Sequence, residues 1–163
     1  MWPFLLSILP FAIIVAVFLS AAIITPTAQE LTNLTTILAT APWTAMKMHL
    51  STNNFIPNPA NVLMDYSSGE ATFVGYAAQT ITFGTPYNDS SGNAVATALV
   101  TFNCTASTTP NSCFTCYATN TAGTTLQFGS ALDNSPVNFN FPGDGLTLLI
   151  TVNLADGTIS VVG

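Results

Sequence analysis

The sequence predicts a mainly β protein: an antiparallel β-sandwich or jelly-roll over residues 43–163, preceded by a hydrophobic helical segment at 1–25 and a short amphipathic linker helix at 26–42. Three observations predict it. Residues 1–24 carry no charge and only Ser7 and Ser20 as polar interruptions. Thr27 and Glu30 stand at the spacing of a capping box, in which each side chain satisfies a backbone N–H at a helix start. Beyond Pro42, short runs of alternating apolar and polar residues are separated by turns rich in Gly, Pro and Asn, the mark of half-buried strands.

The first segment is long enough, at ~1.5 Å per helical residue, to cover the ~30 Å hydrocarbon thickness of a bilayer. Three readings compete for it. A secretory signal peptide calls for a positive n-region, which this stretch lacks. A membrane anchor fits the length, but no Lys or Arg flanks the run to set an orientation. A helix hydrophobic on all sides is also what burial among neighbouring subunits requires. On the last two readings the apolar side chains Trp2, Phe4, Leu5, Leu6, Phe11, Ile13, Ile14, Val17 and Phe18 form an assembly element. Pro10 removes a backbone donor, so the uninterrupted helix is expected over Phe11 to Ile24. In the linker, Leu31, Leu34, Ile37 and Leu38 recur at helical spacing and predict one apolar face laid on the β domain.

The strands follow in order. Residues 43–50 place Met46, Met48 and Leu50 on one side and Lys47 and His49 on the other, so His49 is expected to face outward. Asn53, Asn54, Pro57, Asn58 and Pro59 mark a loop. Strands are then expected at 71–76, 79–83, 95–103, 113–119 and 124–128, with turns at 87–93 and 120–123 and a polar loop at 105–112. The clearest is 146–154, where Leu146, Leu148, Ile150, Val152 and Leu154 alternate with Thr147, Leu149, Thr151 and Asn153. Asp156-Gly157 suits a tight turn into a last strand at 158–162. No internal repeat points to a solenoid.

Composition narrows function. Only 5% of the 163 residues are charged, with one Lys, no Arg and a net charge of −6. Phosphate contacts need a cationic footprint, so nucleic acid is not expected as a partner. General acid–base chemistry needs converging titratable groups, and a single His with scattered acids gives no Ser–His–Asp set, hence no enzyme, substrate or cofactor is expected. Weak charge repulsion instead favours packing against copies of itself or other subunits.

Local motifs add little chemistry. Cys113-Phe114-Thr115-Cys116 has CxxC spacing, but a zinc site needs about four ligands and only Cys104 and His49 remain, far apart in sequence, so no metal is expected. Cys104 and Cys113 flank one loop and are candidates for a disulfide if the protein matures outside the cytosol. Asn33, Asn88 and Asn103 each head an N-x-S/T acceptor pattern, common by chance in so Asn- and Thr-rich a chain. Asp144-Gly145 and Asp156-Gly157 are ordinary turn pairs.

Residues 46–84, MKMHLSTNNFIPNPANVLMDYSSGEATFVGYAAQTITFG, resemble a family of small structural proteins encoded by tailed bacteriophages. The matching positions are Leu50, Asn53, Asn54, Pro57, Pro59, Glu70, Ala71, Thr72, Phe73, Gly75, Tyr76 and Ala77, and the stretches 114–129 and 141–154 are similar to that family's central hairpin and closing strand. The resemblance spans residues 28–155 and implies a capsid decoration, spike or fibre protein of a virion. The hydrophobic run followed by a Thr/Asn-rich β domain is also similar to archaeal type IV pilins, which implies a filament subunit with N-terminal helices in its core. A membrane-tethered glycan-binding module is a third reading, although Trp2 and Trp43 both lie outside the central strands and form no aromatic platform. On all three the expected site is an association surface on the virion or cell exterior, with the β domain displayed outward.

Overall fold

The computed structural model describes residues 46–154 and 156–163. The hydrophobic segment 1–25 with its assembly residues, and the linker helix 26–42, lie outside the described residues. Among the described residues, ten strands and one short helix follow one another as β1 (Lys47–Ser51), α1 (Leu63–Ser67), β2 (Gln79–Thr80), β3 (Tyr87–Asn88), β4 (Ala94–Asn103), β5 (Asn111–Cys113), β6 (Thr115–Thr119), β7 (Leu126–Ala131), β8 (Val137–Phe139), β9 (Gly145–Asn153) and β10 (Ile159–Val162). They build two antiparallel four-stranded sheets, ordered β2-β1-β6-β7 and β10-β9-β4-β3, plus a small β5-β8 pair. Mainly β antiparallel architecture is what the alternation and turn chemistry predicted.

The core is filled by inward residues of both sheets. Met46, Met48 and Leu50 come from β1 and its approach, Val100 and Phe102 from β4, and Leu146, Leu148 and Ile150 from β9. Every second residue of β4 and β9 points inward, and their nine-residue register from Val95↔Asn153 to Asn103↔Gly145 locks that choice, because a one-residue slip would expose the whole apolar set. Phe73 and Phe139 close the core beside β8 with rings stacked at 4.0 Å.

Several boundaries differ from the sequence expectation. Residues 71–76 do not form a strand: after the Ser51↔Glu70 bridge and the Ala71 N–H donating to Leu50 O at 2.9 Å, the chain turns, with the Tyr76 N–H donating to Phe73 O at 3.0 Å. Phe73 and Tyr76 plug the core from a loop, so their apolar spacing looked strand-like without backbone pairing. The expected strand 113–119 is split at Phe114, β5 pairing with β8 and β6 with β1 and β7. Residues 79–83 shorten to β2, continued only by the Ile81 N–H donating to Met46 O. β7 starts at Leu126 because the Asn120 side chain accepts from the N–H groups of Thr124 and Thr125 and keeps them in the turn. β8 and α1 had no sequence signal, being three and five residues long.

Candidate functional site

The two large sheets differ in what covers their outer faces. On the β2-β1-β6-β7 sheet every residue of β6 is buried, because residues 52–70 with α1 lie across the outside. An aromatic chain marks that contact: Phe55 meets Tyr66 edge-on at 4.9 Å, Tyr66 leans on Tyr117 at 5.4 Å, and Tyr117 stacks on His49 at 4.6 Å. Gly129 on β7 is required by the same packing, since a Cβ there would fall 2.3 Å from the Tyr66 ring. The second sheet has the opposite character. Among the described residues, the outward side chains from Thr97 to Asn103 on β4 and along β9 alternate with buried ones and are exposed or half-buried, whereas Val95 at the start of β4 is buried.

The middle of that face is built from three cross-strand rows. Leu99, Leu149 and Val162 share a row through the register Leu99↔Leu149 and Leu149↔Val162, and are 71%, 39% and 54% exposed. On one side lies Thr101↔Thr147, whose hydroxyl oxygens are 3.0 Å apart, and on the other Thr97↔Thr151↔Ser160. No residue of these rows is charged. β-branched Thr is at home on a pleated surface, and opposed Thr pairs hydrogen-bond across strands, so the face holds its shape without charge.

The nearby acids sit in the turns at the ends of the strands. Asp89 accepts from the N–H groups of Asn93 and Ser91, Asp144 from those of Asn140 and Phe141, and Asp156 from that of Thr158. These bonds hold all three carboxyls below the usual carboxylate range. The arrangement is an uncharged centre with carboxylates at its ends, the distribution expected of an association surface with an apolar core and polar rim.

His49, expected to face outward, does lie on the outer side of β1 but is only 8% exposed. Its partners come from the covering segment and from β6: Nδ1 is 2.7 Å from Glu70 Oε1, and Nε2 is 3.0 Å from Thr119 Oγ1. Tyr76 Oη donates to the same Glu70 oxygen at 2.9 Å and accepts from the Leu50 N–H at 3.2 Å. Burial pushes the Tyr76 and Tyr117 phenols well above their ordinary value. Thr119, His49 and Glu70 stand in the order of a nucleophile, base and acid, an alignment the sequence could not reveal because they are separated by 70 and 21 positions. Thr119 is 1% exposed, which leaves its hydroxyl no open side for an acyl group to approach. The network therefore acts as a tie between β1, β6 and the 70–76 loop, each buried polar group finding its partner.

Cys104 and Cys113, the candidates for a disulfide, are free and buried in the structure, as is Cys116. The Cys104 thiol donates to Ala106 O at 3.0 Å, while desolvation pushes the Cys113 and Cys116 thiols up to about 12. Among the described residues no group of three or more His, Cys, Asp or Glu could hold a metal ion, and no helix is long and apolar enough to cross a membrane. Of the N-x-S/T positions, Asn103 is exposed at the end of β4, Asn88 is half-buried in β3, and Asn33 lies outside the described residues. A groove of about 400 Å³ runs between Pro57–Asn61 and β7, floored by Tyr66.

No family model, curated protein or solved structure matches the chain.

Proposed function

We propose that this protein is a non-enzymatic structural subunit of a virion, a decoration, spike or fibre protein that assembles with copies of itself or other virion proteins and displays its β domain outward. One observation supports the reading: among the described residues, one four-stranded sheet is covered on both faces along β1 and β6, and the other presents an uncharged outer face with a central apolar row. Leu99, Leu149 and Val162 leave apolar surface on that face, and its burial would stabilise a contact by about 25 cal/mol per Å². The charge-poor composition and the apolar segment 1–24 support association in the same way. The phage-like pattern of residues 46–84 supplies the setting.

The test is composition and imaging of particles from the native source. The chain is expected in purified virions at a fixed ratio to the major shell protein and visible by antibody labelling on the particle exterior. Its absence from particles, or its recovery only in filaments, overturns the virion reading.

A further inference from the structure

We propose that the groove between residues 57–61 and β7 is a binding site for a neutral oligosaccharide, with the Gln127 amide as its principal hydrogen-bonding group. The inference goes beyond the assembly reading and uses a different surface.

One irregularity in the sheet builds the groove's first wall. β7 is the outermost strand of the β2-β1-β6-β7 sheet. Its register with β6 passes from Ala118↔Phe128 to Thr119↔Leu126, so Gln127 stands opposite no residue and forms a bulge. A bulge re-aims a side chain out of the regular pleat, and the half-buried Gln127 lines the groove. The same bulge interrupts the edge of the sheet, which disfavours an added peptide strand as the occupant.

The opposite wall is fixed before any ligand arrives. Proline restricts the backbone at Pro57 and Pro59. Between and beyond them, Asn58 Oδ1 accepts from the Ala60 N–H at 2.9 Å and Asn61 Oδ1 accepts from the Asn58 N–H at 2.7 Å. The Asn61 amide nitrogen donates to the Asp65 carboxylate at 3.0 Å. A rim held in this way has little freedom left to lose on binding.

The lining selects the class of ligand. None of its residues is charged, so nothing in the groove balances a phosphate, a carboxylate or a cation. Pro57, Pro59, Leu126 and Phe128 offer apolar surface, and Asn58 and Gln127 set amides among them. Among the described residues, the Gln127 side chain and the Asn58 amide nitrogen enter no hydrogen bond. An amide both donates and accepts, and so does every sugar hydroxyl, while the C–H faces of a sugar ring suit apolar walls. At about 400 Å³ the groove lies within the roughly 300–1,000 Å³ of small-ligand sites.

Saturation-transfer NMR on the full chain tests this, with maltotriose, mannotriose, lactose and triacetylchitotriose as neutral probes and sialyllactose as the charged comparison. At least one neutral probe should receive saturation. Gln127→Ala should weaken that probe's binding about five- to tenfold, the loss of one or two hydrogen bonds. Leu99→Ala, on the other sheet, should leave it unchanged. Circular dichroism verifies each fold, and if Gln127→Ala does not fold, Gln127→Glu, equal in size but without the amide donors, carries the test with the same expected direction. Saturation of none of the neutral probes, binding indifferent to Gln127, or tighter binding of sialyllactose overturns the inference. A groove already filled by residues of the same chain gives the first of these results. Any of them leaves the assembly reading standing, because that reading uses the other sheet.

Discussion

Leu148 and Leu99 occupy neighbouring strands on opposite sides of one sheet, which makes their truncation to alanine a direct test of the fold. Leu148, opposite Val100 in the register, is 0% exposed and packs in the core, whereas Leu99 is 71% exposed on the bare face. The chemical change is the same in both. In the core it removes buried methyl groups and leaves a cavity, which costs about 2–5 kcal/mol. On the face only the smaller, covered part of the side chain is lost, about 0.5 kcal/mol on a scale of roughly 1.5–3 kcal/mol for complete burial of a leucine. For a domain of this size about 1 kcal/mol moves Tm by roughly 4 °C, so Leu148→Ala should melt about 8–20 °C lower and Leu99→Ala within about 2 °C of the parent. Thermal unfolding of the full chain followed by circular dichroism measures both. Similar losses from the two variants, or a larger loss from Leu99→Ala, would mean that the β4-β9 register is slipped by one residue and that the face assignment is wrong.

Three further outcomes follow from the same geometry. The three thiols should resist maleimide in the native chain and all react in denaturant, since burial keeps Cys113 and Cys116 in the unreactive thiol form; rapid native labelling counted by intact mass would refute this. Gly129→Ala should lower Tm more than Gly157→Ala, because its new methyl must displace the Tyr66 ring, whereas at Gly157 the space is open and only the φ of 73° is strained; the reverse order would refute the packing of α1 on β7. The lowered carboxyls of Asp89, Asp144 and Asp156 contribute stability that is fully present above the ordinary carboxylate value near 3.8 and lost as pH falls through their folded values. Melting temperature should therefore decline on acidification below about pH 4, and Asp144→Asn should flatten that decline; an unchanged profile in the variant would show that the turn bonds are not responsible.

What the sequence disclosed was whatever obeys a local period. β4 and β9 were legible because each is half-buried, so inward and outward residues alternate along many positions. β6 kept no such rhythm, being covered on both faces, and was merged with β5. α1 and the loop 71–76 were lost because tertiary packing of Tyr66, Phe73 and Tyr76, not local propensity, fixes them. The bare face could be assembled from the sequence in part: the threonines between the leucines of β9 were visible as an outer row, and Leu149 was visible among them. What no sequence pattern gave was the register that sets Leu99 and Val162 beside Leu149. The His49 pairing was missed for a similar reason, since its partners arrive from 21 and 70 positions away.

On the proposed assembly, the uncharged face of the β10-β9-β4-β3 sheet is buried against a neighbour. Electron cryomicroscopy of the native particle tests it most directly, by fitting the domain of residues 46–163 into density. Domains at repeating exterior positions are expected, with Leu99, Leu149 and Val162 covered by a neighbouring subunit. Domains whose bare face looks into solvent at every position would contradict it.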